Sequence, residues 1–151
     1  MASPFPFTSG QVLTAAQLNS IGETTAFTPS WTNLTPGNAT ESWHYVRVND
    51  LLIVAGRTLL GSTSSVSSLP LMDFPVGSQV SPGATVCGRA IYEDSGGDLY
   101  LGFIDIDSSK FRFWVEKADA TYVKREFVTS SVPMTWTTSD ILWMTATVMI
   151  S

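Results

Sequence analysis

Apolar and β-branched residues fall into short runs along most of this chain, and turn signals separate the runs at intervals too short for helices. The strand-like runs are Trp31 to Leu34, Thr40 to Val48, Leu51 to Leu60, Ala84 to Glu93, Leu99 to Asp105, Phe111 to Glu116, Tyr122 to Thr129 and Ile141 to Ile150. Asn49-Asp50 divides one pair as a two-residue hairpin turn, Asp94 to Asp98 the next, and Asp107-Ser108-Ser109 the one after. Ser62 to Ser68 reads as a polar loop. Short antiparallel strands without intervening helices predict an all-β fold, an antiparallel β-sandwich or jelly roll.

One stretch breaks the pattern. Thr14 is an N-cap candidate with Gln17 at the capping-box spacing, Leu13, Leu18 and Ile21 fall near helical spacing, and Gly22 supplies a stop. A helix this short is marginal in water and must lean on its own domain or on a neighbouring subunit. The chain therefore divides into an N-terminal helical anchor over residues 1–26, with Val12, Leu13, Leu18 and Ile21 as its docking side chains, and a body over residues 27–151.

The final run carries a second signal. Leu142, Met144, Ala146, Val148 and Ile150 form one alternating set, and Ile141, Trp143, Thr145, Thr147 and Met149 the other. Both are substantially apolar, whereas a strand in a half-exposed sheet should show one polar face. Leu51 to Ala55 repeats the pattern. A sandwich of this size has little spare chain to cover an outer face, so a subunit interface is expected in preference to an intrachain lid, with Ile141, Trp143 and Met149 contributing to it.

Composition narrows the function. The 151 residues suit one domain, only 14% are charged, and the formal net charge is -5. Eight scattered basic residues provide no counterion-displacing patch, so no nucleic-acid partner is expected. No 18-residue apolar stretch or signal-peptide pattern occurs, so no membrane insertion is expected and the chain reads as made in a cytoplasm. Cys87 is the only cysteine, which excludes an intrachain disulfide and a multi-cysteine metal site.

Candidate chemistry is sparse. His44 is the only histidine and sits inside a strand-like run without a Gly-x-Ser-x-Gly elbow elsewhere, so it reads as structural or surface contact and the chain as a non-enzyme without a cofactor. Glu93, Asp94, Asp98, Asp105 and Asp107 flank two turns, which would place up to five carboxylates at one end of the sheet. Calcium uses such loops, but turn-forming is the simpler role for Asp94, Asp98 and Asp107, and no metal site is assigned. Asn33 and Asn38 match glycosylation sequons and read as turn residues. Five tryptophans could present faces to sugar rings, although Trp114 and its neighbours Phe111, Phe113 and Val115 alternate between two faces, so at least two of the five tryptophans are expected inside.

The order of several motifs resembles a known class. The segment Gly10-Gln11-Val12-Leu13-Thr14-Ala15-Ala16-Gln17-Leu18-Asn19 is similar to the G-x-x-L-T-A-A-x-L-N start of many bacteriophage tail-fibre and related virion proteins. Pro29 to Thr40, Leu52 to Arg57, Leu60 to Val66 and Trp136 to Leu142 resemble the small β-sandwich body of such proteins. The resemblance implies a virion structural protein, either a short tail fibre or receptor-binding component or a head fibre or capsid decoration protein. It also implies a homotrimer, an anchor docked on another virion protein, and a host surface glycan as the ligand of a receptor-binding member. Ser64, Ser65, Asp94, Asp98 and Asp107, in the turn-rich ends, are the expected receptor contacts. A free carbohydrate-binding lectin would need the aromatics but not the anchor, and a glycan hydrolase would need carboxylates facing across a groove.

Overall fold

A computed structural model describes residues 10, 12, 14–15, 21–77, 86–119 and 121–151. Its elements are ten strands: β1 (Thr25–Phe27), β2 (Trp31–Thr35), β3 (Thr40–Val48), β4 (Leu51–Leu59), β5 (Ser65–Asp73), β6 (Gly88–Glu93), β7 (Leu99–Asp107), β8 (Lys110–Asp119), β9 (Tyr122–Phe127) and β10 (Ile141–Met149). The fold is all-β and antiparallel. The helical anchor expected before the body is not among these elements, since Leu13 and residues 16–20 lie outside the described residues, and Val12 and Ile21 are exposed.

Hydrogen bonds join the strands into one sheet in the order β1-β3-β4-β10-β6-β7-β8-β5-β2, with β9 paired to β8 beside β5. The sheet curls on itself. Trp31, near one end of this order, packs on Trp43 of β3 near the other (ring centroids 5.8 Å apart) and on Phe113 of β8 (5.5 Å), and donates its indole N–H to Glu41 Oε1 at 2.7 Å. Inside the curl, alternate residues from nearly every strand meet: Leu34, Trp43, Val54, Val66, Met72, Tyr92, Ile104, Phe111, Phe113, Leu142, Met144 and Val148 are all buried. Trp43 lies across Gly56, where a Cβ would come within 2.6 Å of the ring, and its N–H reaches the fully buried Thr58 hydroxyl at 3.0 Å. Gly102 leaves space for the Tyr92 ring in the same way, and Tyr92 donates its hydroxyl to the Trp114 carbonyl at 2.8 Å.

The turns follow the sequence closely. Asn49, at φ 53, and Ser108 and Ser109, at φ 49 and 67, supply the left-handed backbone that two-residue hairpins require. The expected loop at Ser62 to Ser68 is shorter than expected: Ser65 already belongs to β5 and pairs with Thr35, while Val66 enters the core. The sheet also takes in Thr25 and Ala26, which pair with Tyr45 and His44, so β1 straddles the division placed after residue 26.

Candidate functional site

The register fixes which side chains share the convex face of the sheet. Trp143 on β10 stands opposite Arg57 on β4 and Ile91 on β6, Ile91 stands opposite Leu101 on β7, and Thr147 stands opposite Ile53. Alternation then places Met149, Leu99 and Glu93 on the same face. Large apolar groups crowd it: Ile53 and Ile91 are each 39% exposed, Leu101 55%, Met149 56% and Leu99 63%. Of the expected interface residues, Ile141 is half-buried, Trp143 exposed and Met149 exposed, all on this convex face. The inward set of β10 is buried throughout. The double apolar pattern of the last strand thus has two causes, a core on one side and an uncovered apolar sheet on the other.

A groove of about 530 Å³ runs across the face, lined by Arg89, Ile91, Glu93, Leu99, Trp143 and Thr145. Trp143 forms one wall, with the Arg57 guanidinium 4.9 Å from the ring centroid and its N–H directed to Glu93 Oε2 at 3.3 Å. Beyond Leu99 a smaller hollow of about 290 Å³ opens between β7 and the β8–β9 hairpin, lined by Leu99, Leu101, Glu116, Ala118 and Val123. It exists because β7 and β8 pair only as far as Gly102 and Val115 and then diverge.

Next to this hollow the convex face carries a polar and aromatic cluster of its own. Asp105 is 1% exposed, accepts two bonds from Arg112 (Nε 2.7 Å, Nη2 2.8 Å) and a third from Trp114 Nε1 at 2.8 Å. The Asp105 carboxylate raises the pKa of the Arg112 guanidinium, chiefly through these hydrogen bonds. Trp114 is itself covered by Phe127 (4.5 Å) and by Arg125, whose guanidinium lies 4.5 Å from its centroid and 3.8 Å from Asp105. Burial, with Asp105 nearby, pushes the half-buried Cys87 thiol up to about 12. The sequence placed Asp105 at the end of a strand, flanking a turn, and gave it no role of its own. The available signal was Arg112 and Trp114 on one face of a strand, next to an acid on its hairpin partner.

The expected receptor contacts do not form one surface. Asp94 and Asp98 flank one end of β7 and Asp107 the other, and nine residues of strand separate the two turns by about 27 Å. The grouping of five carboxylates at one end is therefore corrected: successive hairpin turns alternate between ends of a sheet. Among the described residues no three His, Cys, Asp or Glu side chains gather as a metal site. Ser64 is already engaged, donating to the Pro36 carbonyl and accepting from the Gly61 N–H at 2.9 Å, while Asn38 ties the same corner to Thr63. Ser65 and Asp98 are exposed. Asp94 accepts from the Gly96 N–H at 2.7 Å within its own turn, and Asp107 bonds Arg112 at 3.1 Å. The Asp94 to Asp98 turn is held to the body by the fully buried Asp140, which accepts from the Ser95 N–H at 2.9 Å and the Thr137 N–H at 2.6 Å.

Among the tryptophans, Trp43 and Trp114 are buried, Trp31 and Trp136 are partly buried, and Trp143 is exposed. His44 lies on the convex face opposite Ala55, beside a shallow hollow shared with Thr28, Glu41 and Ser42. No described helix is long and apolar enough to cross a membrane. The chain is thus an all-β protein whose best-defined surface feature is an uncovered apolar sheet face. Comparison with known proteins finds no matching family model, no matching curated protein and no matching solved structure.

Proposed function

We propose that this is a bacteriophage virion structural protein, a short tail fibre or receptor-binding component, whose N-terminal segment docks on another virion protein and whose body assembles as a homotrimer. The observation that carries this reading is the convex face of β4, β10, β6 and β7. Four strands at about 4.8 Å spacing, three of nine residues and one of six, present about 520 Å² in projection, of the same order as the ~800 Å² each partner buries in a stable interface. The exposed Ile53, Ile91, Leu99, Leu101, Trp143 and Met149 on that face support its reading as an association surface. The curled sheet would serve as a sandwich-like body, β3, β4 and β10 facing β8, β5 and β2 across the core. The motif order from Gly10 to Leu142 supports the virion setting, with the protein made in the host cytoplasm. Its exposed Ser65 and Asp98 would meet a surface glycan through many weak copies acting together.

The test is adsorption. Particles lacking the protein should adsorb to host cells at a reduced rate that added wild-type protein restores. Normal adsorption by such particles would overturn receptor binding in favour of a capsid decoration or head-fibre role.

A further inference from the structure

Three of the chain's arginines have partners within the fold. Arg47 donates to the Asn49 carbonyl at 2.8 Å, and Arg112 and Arg125 both face Asp105. The other two, Arg57 and Arg89, make no hydrogen bond or ion pair among the described residues, and the contact of Arg57 is the Trp143 ring. Both stand on the convex face, one on each side of β10: Arg57 opposite Trp143, Arg89 opposite Thr145. Two strand spacings across and two residues along put their Cα atoms about 12 Å apart, a span that two long side chains can close on one ligand. In a chain of formal net charge -5, this is a local reversal of sign.

We propose that the groove between these two arginines binds a small organic monoanion with a flat apolar body, a ring carboxylate. Its ring lies against Trp143 and Ile91, and Arg89 and Arg57 hold its carboxylate. The groove, at about 530 Å³, falls within the range of small-molecule sites, about 300–1,000 Å³. Trp143 already gives its indole N–H to Glu93, so its ring offers a ligand only apolar surface, suited to offset stacking. Charge selects the head group: Arg57 and Arg89 against Glu93 leave a single positive charge at the groove, which matches a monoanion. A polyanion would meet Glu93 and, beyond Leu99, Asp98. Guanidinium forks fit the planar carboxylate. The site goes beyond the assembly reading: copies packed on the convex face would bury both guanidiniums, an unpaired buried cation is costly, and a bound carboxylate supplies the counter-charge.

The test is isothermal titration calorimetry of the whole chain with naphthoate and with its neutral counterpart naphthylmethanol, alongside light scattering of the same samples. The expected result is saturable binding of the acid, at least about tenfold tighter than of the alcohol. Arg89→Gln should remove that preference and Arg89→Lys restore part of it. Arg47→Gln, off the groove, should leave it unchanged. Arg89 is exposed, so its variants should keep the wild-type melting temperature. No saturable binding, equal affinity for acid and alcohol, or an acid preference that survives Arg89→Gln would overturn the site, whatever the oligomeric state. A monomeric wild type that prefers the acid would overturn the assembly reading and leave the site standing.

Discussion

Asp105 offers the sharpest test of how the convex face is built. Asp105→Ala removes the acceptor of two Arg112 bonds and of the Trp114 indole N–H, and takes away the anion facing Arg125. Stripping one partner from a buried ion pair costs about 3–5 kcal/mol. Here Arg112 is 19% exposed and keeps Asp107 at 3.1 Å, so part of its charge can be resolvated. A loss of about 2–3 kcal/mol is expected, a large share of a typical 5–15 kcal/mol, with a fall in melting temperature of about 5–10 °C. Asp105→Asn keeps an oxygen for Trp114 and should lose less. The combination Asp105→Leu with Arg112→Met removes both charges and should recover part of the loss, the unpaired indole N–H preventing full recovery. Urea unfolding followed by tryptophan fluorescence measures each variant, and the slope should stay constant if only stability changes. An Asp105→Ala protein within about 0.5 kcal/mol of wild type would refute the assignment of Asp105 as the organising buried charge.

Three further outcomes follow from the same geometry. Trp143→Asp should weaken association more than Met149→Asp, since Trp143 walls the groove and Met149 lies at the far end of β10; light-scattering dilution series would show the order. Cys87 should react slowly with a thiol reagent at pH 8 in the folded protein and at once in denaturant. Its folded pKa lies above the unfolded value, so the stabilisation is complete below the unfolded pKa and is lost only as the pH rises toward about 12. A chain beginning at Thr24 should unfold as cooperatively as the whole protein in calorimetry, whereas one beginning at Thr28 loses β1 and the contacts of Phe27 with Trp43 and Tyr45, and should melt lower.

Much of this fold was legible in the residues because its turns are chemically explicit. Asn49, Ser108 and Ser109 take the left-handed backbone their turns need, and β3 was bounded correctly from sequence. β5 escaped because the exposed Ser65, Ser67 and Ser68 mask the buried Val66, Pro70 and Met72. β1 escaped because three residues before a proline carry no period. At the surface, β10 announced its uncovered face through its second apolar set. Ile91, Leu99, Leu101 and Val123 did not, because which strands lie side by side depends on long-range pairing that no local pattern encodes. The scattered acids were misgrouped for the same reason.

The central claim is that the apolar convex face is covered by other copies of this chain. Size-exclusion chromatography with light scattering on the purified wild type at micromolar concentration tests it directly. The expected mass is three times 16.3 kDa, about 49 kDa, persisting on dilution. A single species of 16.3 kDa under those conditions would contradict it.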